Sequence, residues 1–144
     1  MQGYKFSLDK VLDWRSDKEE QAQRKVGELQ ARKAEEEMKL ERLLKESMKL
    51  KAESIFAGNV DSMRQQSLYQ ELTSQRIIQQ KLVIEKTEHQ IDEAKAALIE
   101  AHKEKKVLEK LKEKNHAAYI QEELKAEQHQ LDELSVLQFG RSIF

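Results

Sequence analysis

The sequence predicts an all-α protein, an antiparallel two-helix coiled-coil hairpin, and three observations support this. The 144 residues include no proline and only four glycines, so few positions interrupt a helix. Charged residues make up 37% and hydrophobic residues 38%, which is too little apolar surface for a large globular core and too much for disorder. Apolar residues also recur at alternating spacings of four and three, a pattern typical of a coiled-coil seam.

The first helix is predicted over about residues 7–56. The Ser7 hydroxyl can accept a hydrogen bond from an unpaired backbone N–H of the first turn, which makes Ser7 a good N-cap. From Leu8 onward the spacing of four and three is unbroken. The seam positions are Leu8, Leu12, Arg15, Glu19, Ala22, Val26, Leu29, Lys33, Glu36, Leu40, Leu43, Ser47, Leu50 and Ser54.

Four charged residues, Arg15, Glu19, Lys33 and Glu36, occupy seam positions where apolar side chains would give more stability. Two interpretations stay open at this point. These residues can pair across the seam and fix its register, or a partner that encloses the seam can recognise them.

A turn is predicted at residues 57–61, because Gly58 and Asn59 tolerate left-handed backbone angles and Asp61 or Ser62 can cap the next helix. The second helical region is predicted over residues 62–137, followed by a tail at 138–144. It is longer than the first helix, so it either overhangs its partner or breaks into short helices before about residue 87. We expect the broken arrangement, within a single coiled-coil domain over residues 1–144.

The second region carries two apolar stripes. The phase slips by about two residues between Leu108 and Ala117, which disturbs the supercoil locally. The stripe positions are Ile77, Ile84, Ile91, Ala94, Leu98, Ala101 and Leu108, then Ala117, Ile120, Leu124, Leu131 and Leu134.

Composition and spacing exclude several classes of function. No apolar run is long enough to span a membrane, and the N-terminus lacks the apolar stretch of a signal peptide, so we expect a cytoplasmic protein without membrane insertion. A formal net charge of −1 provides no overall electrostatic attraction to nucleic acid. The histidines, spaced 13 or 14 residues apart, cannot bind one metal from a single helix. We expect no enzyme activity, no metal and no cofactor, since a two-helix rod offers no concave pocket.

Four segments, in this order and spacing, resemble the bacterial flagellar export protein FliJ family over the whole chain. They comprise an N-terminal motif, a motif after the turn, a lysine-rich motif and a motif near the C-terminus. The segments are FSLDKVLDWR at 6–15 followed by Glu19, Ala22 and Leu29; Tyr69-Gln70-Glu71-Leu72; Lys103-Glu104-Lys105-Lys106 with Leu108 and Leu111; and Leu131-Asp132-Glu133-Leu134.

The resemblance implies a non-enzymatic stalk of the flagellar type III export apparatus, with a role in motility and chemotaxis. Members of this family form an antiparallel coiled coil similar to the long helices of the rotary ATP synthase γ subunit. They bind the hexameric export ATPase and promote assembly of its ring, contact the membrane-embedded export gate, and cycle empty export chaperones. The implied location is peripheral to the inner membrane at the flagellar basal body.

The resemblance also implies two sets of binding residues. By likeness to the γ subunit, the paired chain termini would enter the ATPase ring, and the gate contact would fall near the start of the second helical region. The ring set is Leu8, Val11, Leu12, Arg15, Leu131, Leu134 and Phe139, and the gate set is Leu68, Tyr69, Leu72 and Ile77.

Three other interpretations compete with the export stalk. The chain could be a generic cytoplasmic coiled-coil adaptor, or a structural dimer whose long arm pairs with a second copy. It could be a peripheral stalk or secretion chaperone of another system. An amphipathic helix lying on a membrane fits less well, because the seam is narrow and the lysine-rich stretch is interrupted by glutamate.

Overall fold

The computed structural model describes residues 3–54 and 58–143, and in these residues the chain forms two long helices. Helix α1 spans Asp9–Ser54 and helix α2 spans Val60–Ile143. No strand occurs in these residues. The all-α fold of two helices packed against each other is therefore confirmed.

Helix α1 begins two residues later than the predicted start at Ser7. The Leu8 carbonyl accepts the first helical hydrogen bond, from the Leu12 N–H at 2.9 Å, and a preceding turn joins the Asp9 N–H to the Phe6 carbonyl at 3.2 Å. Leu8 therefore occupies the N-cap position. The acidic side chain of Asp9 opens the first turn, where it interacts favourably with the helix dipole. The predicted end of this helix at residue 56 lies outside the described residues.

The cap of α2 is Asn59, not Asp61 or Ser62. The Asn59 Oδ1 accepts a hydrogen bond from the Ser62 N–H at 2.7 Å, and the Asn59 carbonyl accepts one from the Met63 N–H at 3.1 Å. An asparagine side chain at this position satisfies a donor that the first turn would otherwise leave unpaired. Helix α2 therefore starts at Val60, two residues before the predicted start.

The predicted break before residue 87 is absent, because α2 is one continuous helix from Val60 to Ile143. The predicted tail is also wrong over residues 138–143, which continue the helix. No proline or glycine interrupts the chain between Val60 and Gly140. A single glycine costs a helix about 1 kcal/mol relative to alanine, which is too little to end a helix of this length.

The chain forms two compact units, one made of Met1–Glu19 with Glu100–Phe144 and the other of Glu20–Ile99. We call them the terminal unit and the central unit. In each, a segment of α1 packs antiparallel to a segment of α2. The single domain predicted for residues 1–144 stays a prediction.

In α1 the predicted seam is confirmed from Leu12 to Leu50. Val26 is buried, and the other apolar seam residues of this stretch are half-buried. The α2 side of the seam keeps the same spacing but contains many more polar residues than the predicted stripe. Its covered positions are Ser62, Gln66, Gln70, Thr73, Ile77, Gln80, Ile84, Thr87, Ile91, Ala94, Leu98, Ala101, Lys105, Leu108 and Lys112.

After Lys112 the apolar stripe leaves the seam. Ile120, Leu124 and Leu131 are exposed, and residues 121–139 are exposed throughout. A slip of two residues rotates the stripe by about 200° around the helix. The second stripe therefore lies on the side of α2 opposite the seam, and we call residues 120–143 the C-terminal extension.

Candidate functional site

Among the charged side chains that the structure describes in the terminal unit, Glu19 is the most buried, with its residue only 8% exposed. Its Oε1 lies 3.2 Å from His102 Nδ1, and its Oε2 lies 3.4 Å from Lys105 Nζ, so two side chains of α2 face one carboxylate of α1. The hydrogen bond with His102, and then the bond and charge of Lys105, lower the pKa of Glu19 against the opposing effect of burial. This cluster is an ionic layer within the seam.

Two further ion pairs cross between the helices of the terminal unit. Arg15 Nη1 pairs with Glu104 Oε2. Asp9 Oδ1 lies 2.9 Å from Lys112 Nζ, and this bond raises the pKa of Lys112. Because the pairs join three positions of α1, Asp9, Arg15 and Glu19, to residues 102–112 of α2 in reverse order, they fix the antiparallel register of the terminal unit.

The central unit uses polar residues in the same way. Gln80 Nε2 donates to the Glu36 carbonyl at 2.9 Å and to Glu36 Oε2 at 2.6 Å, and the bond from Gln80 is the main cause of a lowered pKa of Glu36. Lys33 Nζ lies 3.3 Å from Glu88 Oε1. All four charged residues of the predicted α1 seam therefore pair across it, which supports the first of the two interpretations.

The N-terminal part of the predicted ring set is only partly accessible. Leu8 and Val11 are just over one-third exposed, and Leu12 is half-buried. Arg15 is half-buried and engaged with Glu104. Among these four residues, the accessible apolar surface therefore consists of Leu8 and Val11.

The C-terminal part of the ring set is far more exposed. Leu131 is 58%, Leu134 56% and Phe139 67% exposed, all within the C-terminal extension. Asp9 pairs with Lys112, and Leu131 lies 19 residues beyond Lys112, or about 28 Å along α2. The structure thus places the two parts of the ring set in one unit without bringing them into a single cluster.

The gate set divides between two faces of α2 in the central unit. Leu68, Tyr69 and Leu72 are exposed. Ile77 is half-buried in the seam, whereas the neighbouring Arg76 is exposed. The exposed apolar surface of this set is therefore formed by its first three members.

Sequence reasoning missed two aromatic features of the terminal unit. Tyr4 contacts the rings of His116 and Tyr119, with ring centroids 4.8 and 5.3 Å apart, and the Tyr4 hydroxyl donates to the Lys112 carbonyl at 3.2 Å. Trp14 is half exposed, with Lys18 Nζ 4.0 Å from its ring centroid. The only sequence signal for the first contact is the aromatic content of the segment before Ser7.

The histidines serve as hydrogen-bond or ring partners. His89 and His129 each lie 3.3 Å from a glutamate four residues later, and His102 contacts Glu19. Across residues 3–54 and 58–143, no three histidine, aspartate or glutamate side chains lie close enough together to hold a metal ion. In the same part of the chain, no helix has an 18-residue stretch apolar enough to cross a membrane.

Comparison with known proteins identifies the family. The model of the flagellar FliJ protein family matches residues 4–143, nearly the whole chain. Neither the curated proteins nor the solved structures give a match to this sequence. The family is a non-enzymatic component of the flagellar protein export apparatus. This chain therefore belongs to the flagellar FliJ family and has a role associated with flagellar protein export.

Proposed function

We propose that this protein is the stalk of the flagellar export ATPase, and that it binds the hexameric ring and promotes its assembly. The single observation that supports this most strongly is the exposed apolar stripe of the C-terminal extension. Ile120, Leu124, Leu131 and Leu134 are each between 44% and 59% exposed, so a partner can still cover much of every side chain. Covering a leucine fully contributes up to about 1.5–3 kcal/mol, so a few such residues can anchor a complex.

The charges of the extension indicate the kind of surface that receives it. Between Ile120 and Phe139 the acidic residues are Glu122, Glu123, Glu127, Asp132 and Glu133, and Lys125 is the only lysine or arginine. A ring surface complementary to this stretch would combine apolar pockets with basic residues. Such contacts weaken as salt is added, because exposed ion pairs are screened.

The N-terminal members of the ring set form the second part of the proposed contact. Leu8 and Val11 present their exposed portions, while Leu12 and Arg15 contribute from the seam. Since Arg15 already pairs with Glu104, its role would be to hold α1 and α2 in register beside the ring. Phe139 adds a large exposed aromatic side chain near the end of the extension.

A second contact would join the stalk to the export gate and, with it, to the inner membrane. Leu68, Tyr69 and Leu72 offer exposed apolar surface on the central unit, and Ile77 would support them from the seam. Exposed tyrosine and leucine are suited to a protein interface, since tyrosine combines a large apolar ring with a polar tip. The escort of empty export chaperones belongs to the same proposal.

The test is ATP hydrolysis by the cognate flagellar export ATPase, with and without this protein, together with the size of the ATPase assembly. We expect stimulation and hexamer formation at stoichiometric ratio. For the double variant Leu131→Ala/Leu134→Ala, about ten times more protein should be needed for the same stimulation and the same hexamer formation. A loss of about 1.4 kcal/mol of binding free energy corresponds to a factor of ten in affinity. The helicity of the double variant should stay unchanged.

The matched control is Leu68→Ala, which removes a leucine of similar exposure, 60%, from the central unit. This variant should stimulate the ATPase like the wild type. Equal stimulation by the wild type, the double variant and Leu68→Ala would mean that the ring does not bind the extension. No stimulation by the wild type, with a competent ATPase, would favour the alternative of a generic cytoplasmic coiled-coil adaptor.

A further inference from the structure

The central unit carries a second apolar face on α2, on the side opposite the seam. Leu68, Leu72, Ile78 and Leu82 are each 49% to 60% exposed, and Gln75 lies between them. Residues on the seam, such as Thr73 and Ile77, are separated from this line by roughly half a turn of the helix. We call these five residues the outer face of α2.

The outer face is unusually poor in charge for this protein. From Leu68 to Leu82 the only charged residues are Glu71, Arg76 and Lys81, in a chain that is 37% charged overall. Depletion of charge at the centre of an exposed apolar face is characteristic of protein–protein interfaces. A polar or ionic ligand would find little to bind there.

The order of the residues on this face is self-complementary. Leu68 and Leu82 lie seven residues on either side of Gln75, and Leu72 and Ile78 lie three residues on either side. If two copies of the helix meet antiparallel with Gln75 at the two-fold axis, Leu68 of one copy reaches Leu82 of the other. The seven-residue spacing keeps these residues on one line of a supercoiled helix.

The charges at the edges of the face complement each other in the same register. Arg64 and Glu85 are separated by 21 residues, or three heptads, so both lie along one edge of the face. An antiparallel two-fold pairing places like edges together, which brings Arg64 of each copy to within one residue of Glu85 of the other along the same edge. Lys86, which is level with Arg64, lies on the opposite edge of the face. Arg64 and Glu85 are both exposed, and the structure pairs neither of them with another described residue within the chain.

From these observations we infer that the outer face of α2 is a self-association surface, on which two copies of this chain pair antiparallel about Gln75. The paired segment, from Arg64 to Lys86, is about 33 Å long. Such a short helix pair lies at the small end of specific interfaces, so the dimer is reversible and forms as concentration rises. This inference goes beyond the proposed stalk function.

The C-terminal extension does not offer the same self-complementarity. Its apolar residues Leu124 and Leu131 could pair about a centre between Glu127 and Gln128, but Glu127 would then face Glu127 of the other copy. Between Ile120 and Phe139, five acidic residues against one lysine make this stretch repel a second copy of itself. Of these two exposed surfaces, the outer face is thus the one that is complementary to the same surface on a second copy of the chain.

One consequence concerns the proposed gate contact, which shares Leu68 and Leu72 with the outer face. A dimer covers both residues, so self-association and gate binding exclude each other. The dimer would be a stored form, from which dilution or a tighter-binding partner releases the monomer.

Self-association is tested on the purified full chain alone, so its failure is independent of the ATPase assay. Sedimentation equilibrium should show a monomer–dimer equilibrium. Leu82→Ala should weaken it by about tenfold, and Ile99→Ala should leave it unchanged. Ile99 is exposed on the same side of α2, but the antiparallel register gives it no counterpart because α2 begins at Val60.

A charge exchange tests the register. Arg64→Glu and Glu85→Arg should each weaken the dimer, because each places like charges together, and the double variant Arg64→Glu/Glu85→Arg should restore it. Equal behaviour of all three proteins would contradict the proposed pairing.

The absence of cysteine from the chain allows a direct geometric test. Under mild oxidation Gln75→Cys should form disulfide-linked dimers fastest, and a mixture of Leu68→Cys with Leu82→Cys should cross-link, whereas Leu68→Cys alone and Ile99→Cys alone should not. Fast cross-linking of Leu68→Cys with itself would indicate parallel pairing and overturn the inference. A chain that stays monomeric at every concentration tested would also overturn it.

Discussion

Two stretches of α2 carry regular apolar stripes, but only one of them is covered. In the first, Ile91 and Ala94 are buried in the seam. In the second, Leu124 and Leu131 are more than half exposed. The stripes differ in phase by about two residues, so the second faces away from the seam. Periodicity therefore identifies an apolar face, but that face becomes core only where a partner helix lies alongside it. Helix α1 begins at Asp9, which pairs with Lys112, and residues 121–139 of α2 are exposed on every side.

The largest expected difference between the two stretches is in stability. Ile91→Ala removes a side chain from a residue that is 6% exposed and should lower the free energy of unfolding by about 2–4 kcal/mol. Leu131→Ala, in the exposed stretch, should change it by less than about 0.5 kcal/mol. Urea unfolding followed by circular dichroism measures both. A large decrease in the free energy of unfolding of Leu131→Ala would mean that the extension is packed against another part of the protein.

A smaller effect is expected from the ionic layer at Glu19. Glu19→Gln should cost about 1 kcal/mol at pH 7, because it weakens a charge-assisted contact whose His102 side chain is half exposed. Since folding lowers the pKa of Glu19, its contribution is complete above the ordinary value of 4.5 and is lost as pH falls through the lower folded-state pKa.

The measurement is the urea midpoint between pH 7 and pH 3. The wild type and Glu19→Gln should differ most at neutral pH and converge in acid. Glu127→Gln makes the same chemical change at an exposed position of the extension and should leave the pH profile unaltered. A constant difference between wild type and Glu19→Gln at all pH values would contradict the assignment of the ionic layer.

An effect smaller than that of Glu19→Gln is expected from Tyr4→Phe, at the boundary between the covered and exposed stretches. Tyr4→Phe removes the hydrogen bond to the Lys112 carbonyl but keeps the ring against His116 and Tyr119. We expect the free energy of unfolding to fall by about 0.5 kcal/mol. Tyr4→Ala, which also removes the ring, should cost more and should increase amide hydrogen exchange near Tyr119. Equal losses in both variants would show that the ring contact contributes nothing.

Much of α1 could be predicted because its seam is regular in sequence. The 4,3 spacing from Leu12 to Leu50 matches the covered positions of the structure. The seam of α2 was harder to find, since Gln70, Gln80 and Lys105 occupy covered positions that no hydrophobicity pattern reveals. These side chains are accommodated because α1 supplies their partners, such as the Leu50 carbonyl for Gln70 and the Glu36 carboxylate for Gln80.

The helix break predicted near the turn shows a second limit of prediction from the sequence. The unequal lengths of the two helices predicted that the second helical region breaks before about residue 87, an arrangement that could cover Leu68 and Leu72. The structure instead keeps one helix and leaves these side chains exposed. Uninterrupted helix propensity prevailed over the burial of a few apolar residues, because a fold-back would require several broken helical hydrogen bonds and new caps.

The sequence by itself determined that this protein is helical and which face of α1 is apolar, because both follow from local propensity and from a spacing that any helix must present. It also carried the resemblance to the flagellar export family. Only the tertiary structure decided where α1 stops along α2, the pairing of Glu19 with His102 and Lys105, and the exposure of Leu131. Those features depend on which residues of another helix lie opposite, and that information is spread over positions far apart in the chain.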